Sequence, residues 1–243
     1  MIGITKESVG GVKSLIVVET EKQQAALPTV IYFHGITSAK EHNLPLAFLL
    51  AENGFRVVLP DSLYHGERET NKISDVRYYL FNIVIQNIKE LHKIRQDLEE
   101  KGLILNNRIG VAGTSMGGIT TASALSQYDW IKTAAILMGS PKIATFAKEL
   151  VDIYTKSGAL PLSEQEVNQL YDTLLGYDLS LQPEKLNERP VLFWHGDQDP
   201  TVPFDHSYSF YQQIKSIYRD QDNVKFLREI GRGHKVSRFA ILE

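Results

Sequence analysis

Short apolar runs rich in β-branched residues alternate along this chain with longer segments of helical period, and that alternation restricts the fold more than any other feature. Parallel strands cannot be joined by tight turns. Each pair needs a crossover of a dozen or more residues, and a helix usually supplies it. The runs at 14–18, 29–33, 56–59, 108–112, 133–137, 191–194 and 224–230 read as strands. Between them, 44–53 reads as a helix, with Pro45 in its first turn and Gly54 just past its end. In the segment 75–101, Val76, Leu80, Ile83, Val84, Ile88, Leu91, Ile94 and Leu98 recur at helical spacing, and Gly102 supplies the stop. The segment 205–219 repeats the pattern with Tyr208, Tyr211, Ile214 and Tyr218 on one face. The expected fold is therefore α/β, a mainly parallel central sheet with helices on both faces, in a single domain over 1–243.

One interval breaks the rhythm. More than fifty residues separate the strand ending at Leu137 from the one beginning at Val191, far more than a crossover requires. The excess, 141–187, is expected to hold a helix over 143–154 and a second one ending at Leu175, opened by a capping box between Ser163 and Glu166. It is too short to bury a core of its own, so it reads as a helical lid over the carboxyl edge of the sheet.

Composition narrows the chemistry. Hydrophobic residues make up 43% of the chain, enough for a sizeable core, and the formal net charge of −3 offers no basic field for nucleic acid. Cysteine is absent, which removes disulfides, thiolate metal sites and a cysteine nucleophile together. The longest apolar run near the amino terminus, Leu15 to Val18, is too short for a signal-peptide core or a membrane span, so a cytoplasmic chain without a membrane partner is expected. Oligomeric state is not legible.

The stretch GTSMG, Gly113 to Gly117, sits where the fourth expected strand hands over to a helix. It fits G-x-S-x-G, in which a serine occupies a sharp strand-to-helix turn and small neighbours let strand and helix approach. A serine hydroxyl is a poor nucleophile at neutral pH and needs a base oriented by a carboxylate, in the chain order serine, acid, histidine for this type of turn. His206 and His234 are the histidines that follow the last acidic candidates. His234, in the flexible loop GRGHKVS after the last strand, is the preferred base, while His206 beside Asp205 reads as a surface histidine near a helix cap. For the acid, HGDQDPTVP offers Asp197 and Asp199, and Asp199, deeper in the loop and followed by a proline, is preferred; Asp205 reads as a helix N-cap. His195, Asp197 and Asp199 also alternate as metal ligands on an extended strand would, but no second histidine cluster accompanies them, so no metal is assigned. An oxyanion needs backbone donors. Met116, next after the serine, and Ile36, freed to turn by Gly35 in FHGITSAKE, are the candidates.

The ordered motifs YFHGITSAKE, LPDSLYHGER, GTSMGG, HGDQDPTVP and GRGH resemble the α/β-hydrolase superfamily, and most closely its compact serine esterases near the prolyl-oligopeptidase and dienelactone-hydrolase branches. The likeness covers nearly the whole chain. It implies Ser115 as nucleophile, Asp199 as acid, His234 as base, and Ile36 and Met116 as the oxyanion hole, with no cofactor. The chain carries no propeller domain, and it has serine where dienelactone hydrolases use cysteine and where dehalogenases use aspartate. The implied activity is hydrolysis of small to medium carboxylic esters through an acyl-enzyme. A peptidase or amidase, and a non-catalytic binding protein of the same fold, are the alternatives. His65 and Arg68 border the pocket in the resemblance, as structural or substrate-facing residues. His65 is expected among the substrate-binding residues with Phe146 and Tyr154, and Tyr171 and Tyr177 are further aromatic candidates in the lid.

Overall fold

The computed structural model describes residues 1–71, 73, 75–160 and 162–238; residue 161 of the expected insertion and residues 239–243 of the expected domain lie outside the described residues. Eight strands form one sheet: β1 (Ile2–Val9), β2 (Val12–Glu19), β3 (Leu27–Phe33), β4 (Arg56–Pro60), β5 (Ile104–Thr114), β6 (Thr133–Leu137), β7 (Val191–Gly196) and β8 (Val224–Glu229). Their spatial order is β1-β2-β4-β3-β5-β6-β7-β8. β2 is antiparallel to both its neighbours and every later pairing is parallel. The chain thus steps from β2 past one place to β3, turns back to fill that place with β4, then passes over β3 to β5 and continues in its first direction to β8. Such a reversal sends successive crossovers to opposite faces and opens a crevice beyond the carboxyl ends of the strands.

The helices follow that path. α1 (Leu44–Glu52) buries Ala47 and Ala51 on one face, against Leu15, Val17, Tyr32, Val57 and Leu59. α2 (Leu80–Glu100) and α3 (Met116–Gln127) cover the other face. Along α2, Ile83, Val84, Ile88, Leu91, Ile94 and Leu98 are buried almost completely. Burial of each such side chain is worth about 1.5–3 kcal/mol, so this stripe and not local propensity holds the helix on the sheet.

The inserted segment between β6 and β7 contains α4 (Ile143–Lys156) and α5 (Glu164–Leu175). Ser163 and Glu166 form the reciprocal capping box at the start of α5. Ile143, Ala144, Phe146 and Ala147 on α4 join the same hydrophobic cluster as α2 and α3, so the insertion shares the core of the domain.

Local expectations differ from the structure in a few places. β1 was not legible as a strand because it forms an exposed sheet edge whose middle, Lys6 to Ser8, faces solvent and shows little apolar period. The expected helix from residue 75 begins instead as a 3-10 turn over Val76–Tyr79, with the Asp75 side chain accepting from the Arg77 amide, before α2 proper. α6 (Phe204–Lys215) starts one residue early. Pro203 holds its cap position and Asp205 falls inside the first turn, so Asp205 is not the N-cap. Tyr218 lies beyond α6 but is still buried, its hydroxyl donating to the Arg189 carbonyl at 2.8 Å.

Candidate active site

Ser115 stands between β5 and α3 at φ 56° and ψ −114°, in a region an L-residue occupies only under strain of about 1–3 kcal/mol. Two bonds hold it there. Its own amide donates to the Leu137 carbonyl at the end of β6, and its carbonyl accepts the Ile119 amide, both at 2.9 Å. The glycines are required by proximity. A Cβ on Gly117 would lie 2.0 Å from the Phe33 carbonyl oxygen, and one on Gly113 would lie 2.4 Å from Gly117 backbone atoms. Only bare backbone lets α3 start directly against β3, and that closeness lifts Ser115 to the sheet's carboxyl rim.

Two loops from the far half of the sheet converge on it. His234, in the loop after β8, has Nε2 2.8 Å from Ser115 Oγ and Nδ1 2.7 Å from Asp199 Oδ2. A carboxylate can only accept, so Nδ1 carries the proton and Nε2 is left to accept from the serine hydroxyl. Asp199, in the loop after β7, has a fully buried side chain, and its other oxygen accepts the amides of Thr201 at 2.8 Å and Val202 at 3.0 Å. Burial opposes its ionisation. Hydrogen bonds from His195, His234 and those two amides outweigh burial and hold its carboxyl well below the usual carboxylate range.

Asp197 faces elsewhere, bonded to Arg228 at 2.8 Å and to the Gly231 amide at 2.6 Å. Among the described residues no group of three or more His, Cys, Asp or Glu side chains is placed to hold a metal ion. His195 is instead a neighbour of the acid that the sequence did not reveal. Its Nε2 lies 3.0 Å from the Val202 carbonyl and 3.2 Å from Asp199 Oδ2, so that nitrogen is the donor, and its buried Nδ1 has no partner among the described residues. The alternation of His195 with Asp199 was the available signal, but it suggested shared ligation and not one side chain bracing the other. His206 is likewise not a surface residue. It is buried, with Nδ1 3.0 Å from Ser140 Oγ and Nε2 3.1 Å from Glu149, tying α6 to α4.

The loop carrying Ile36 is held from below by a second set of buried polar groups. His34 Nε2 accepts the Ser62 amide at 3.0 Å, and its Nδ1 donates to the Gly35 carbonyl at 2.8 Å. His65 Nε2 accepts the Thr37 amide at 3.1 Å, and its Nδ1 donates to the Leu63 carbonyl at 2.9 Å. With both ring nitrogens engaged by backbone and the side chain buried, His65 is a brace for the residue after Ile36. It does not line the cavity beside Ser115. Burial lowers the proton affinity of both rings, His34 to about 4. Lys40 and Asp61, both buried, lock the same two loops together at 2.5 Å. Arg68 is similarly structural, pairing with Glu90 on α2 at 2.8 Å.

A cavity of about 100 Å³ opens beside Ser115, lined by Ile36, Met116, Phe146 and Tyr154, and also by Arg77, Leu80, Ile119, Leu150, Thr201 and Val202. Phe146 and Tyr154 are thus at the site. Tyr171 and Tyr177 pack on the core cluster elsewhere. Met116 supplies the first amide of α3, one of the N–H groups a helix leaves without an internal partner. A larger groove, about 450 Å³, lies against α1 between Leu46, Leu50 and Leu192, and is lined by none of Ser115, Asp199 or His234. Of the two, the smaller is the one Ser115 lines.

Known proteins resemble this chain at several distances. The chain is 46% identical over its whole length to YitV of Bacillus subtilis (strain 168), a protein classed by name among esterases, and covers 96% of it. It is 28% identical to esterase YjfP of Escherichia coli (strain K12), with 91% of this chain and 88% of that protein matched. The crystal structure of TT1662 from Thermus thermophilus superposes with a TM-score of 0.75 at 18% identity, covering 100% of this chain and 94% of that one, a likeness of fold. Residues 47–240 match the prolyl oligopeptidase family. With the strand order, the turn at Ser115 and the two loops that meet it, these matches establish that the chain belongs to the prolyl oligopeptidase family and has an α/β-hydrolase fold.

Proposed function

We propose that this protein is a serine carboxylesterase acting on small to medium esters. The observation that carries the reading is the unbroken line from Asp199 through His234 to Ser115, with both hydrogen bonds under 3 Å. The Ser115 oxygen bonds to the ester carbonyl carbon as its proton passes to His234 Nε2. The carbonyl π pair moves onto oxygen, where the amides of Ile36 and Met116 meet it. When that pair returns, the bond to the alkoxy oxygen breaks and His234 gives its proton to the leaving alcohol. Water then attacks the acyl-enzyme with His234 as base again, releasing the acid and restoring the Ser115 hydroxyl. Asp199 stays ionised throughout and keeps the imidazole in its Nδ1–H form. The names of YitV and YjfP agree with an esterase.

The family match favours a second reading, cleavage of an aminoacyl amide. A free amine on such a substrate would seek a carboxylate, whereas among the described residues the charged side chain lining the cavity is the cation Arg77. Ester substrates fit that lining better. Replacing Ser115 by Ala should lower turnover of short p-nitrophenyl esters by several orders of magnitude while the far-ultraviolet spectrum stays unchanged. Undiminished ester turnover in that variant rejects the reading. Turnover of aminoacyl p-nitroanilides, with none of the esters, selects the amidase instead.

A further inference from the structure

The lining of the Ser115 cavity assigns it to one half of the substrate. On the esterase reading, from which this inference follows, the leaving alkoxy oxygen must lie within hydrogen-bond reach of His234. The cavity is lined by Ser115 and by the two amide-bearing residues Ile36 and Met116, but not by His234. The alcohol therefore departs on the His234 side, and the cavity receives the acyl group.

Part of its lining is shared with a neighbouring space. A second apolar cavity of about 30 Å³ lies beyond, lined by Phe81, Val151, Leu160, Leu162 and Leu170. Arg77, Leu150 and Tyr154 line both spaces. Tyr154 is the largest apolar side chain of the three, and it is held in place edge-on against Tyr78, with ring centroids 5.2 Å apart. The Arg77 side chain is fixed by Asp75, its partner at 2.7 Å. A cavity of roughly 150 Å³ takes a benzene ring, so the smaller space beside Ser115 takes an aliphatic group of about four carbons.

We propose that Tyr154 is the specificity-determining end wall of the acyl site, that it confines the enzyme to esters of short aliphatic acids, and that a smaller residue there joins the two cavities. The test is a series of p-nitrophenyl esters from acetyl to decanoyl, run on the wild type, on Tyr154→Ala and on Leu150→Ala, with Ile153→Ala on the exposed side of α4 as control. The wild type should peak at or below butyryl. Tyr154→Ala should raise the ratio of hexanoyl to acetyl kcat/KM at least tenfold, Leu150→Ala should raise it by a smaller factor, and Ile153→Ala should leave it unchanged. If Tyr154→Ala does not fold, Leu150→Ala decides alone. A wild-type optimum at long chains, or an unaltered profile in every folded wall variant, overturns the end wall and leaves the esterase reading standing. A wild type inert to the whole series, and indistinguishable from Ser115→Ala, overturns both.

Discussion

His195 touches the acid but cannot touch substrate, and its value lies in geometry. Its Nε2–H is shared between the Val202 carbonyl and Asp199 Oδ2, the oxygen that also receives His234. A hydrogen bond to a charged group is worth about 1.5–3 kcal/mol, so His195→Phe, which keeps a ring against Phe204, should lower ester kcat roughly 10- to 100-fold with KM little changed. His195→Gln should recover part of that loss. A change in KM alone would mean that His195 shapes the pocket and not the acid. At this scale the sequence was legible wherever a residue's neighbours in the chain announce its role. Ser115 is flanked by the glycines it needs, and Asp199 sits before the proline of its loop. The partners of His195 and His65 were not legible, because the atoms that engage them, Asp199 Oδ2 and the Thr37 amide, are found only once loops have been brought together.

Among the elements, the junction of β5 with α3 is the least forgiving. Gly117→Ala places a methyl group 2.0 Å from the Phe33 carbonyl oxygen, which belongs to β3 and is not a flexible side-chain end. The helix must then retreat from the sheet along its first turn. Overpacking of this kind costs typically 1–3 kcal/mol and can cost more. Gly117→Ala should therefore unfold at visibly lower urea concentration and lose most esterase activity even below that midpoint, since Met116 and Ser115 shift with the helix. Equal midpoints for variant and wild type would show that the contact is relieved cheaply. The helical period of α2 and the capping box of α5 were plain in the sequence because both are local patterns. The edge strand β1 and the 3-10 start before α2 were not, because pairing with β2 and docking of Val76–Tyr79 override weak local preference.

For the molecule as a whole, two buried histidines, His34 and His65, couple folding to acid. His34 has a folded-state pKa of about 4 against 6.5 in the ordinary state, because burial and its acceptor role for the Ser62 amide favour the neutral ring. Between those values the unfolded chain holds the extra proton, so stability rises with pH; the contribution is complete above 6.5 and is lost as pH falls toward 4. That one ring accounts for up to about 3 kcal/mol, and His65 shifts in the same direction. The depressed Asp199 works at lower pH, where its contribution, present above the ordinary carboxylate value, disappears on further acidification. Urea midpoints measured from pH 7.5 down to 4 should therefore fall steadily, and a flat profile would contradict two neutral, buried rings. What the sequence determined alone was the class of sheet and the place of the serine-bearing turn between β5 and α3, since alternation, period and a glycine-flanked turn are properties of adjacent residues. What only the tertiary structure decided was which groups brace Asp199 and the loop of Ile36, and which side chains line the cavity beside Ser115. Those depend on contacts between segments far apart in the chain, which become neighbours only when β3, β5, β7 and β8 are aligned along one edge.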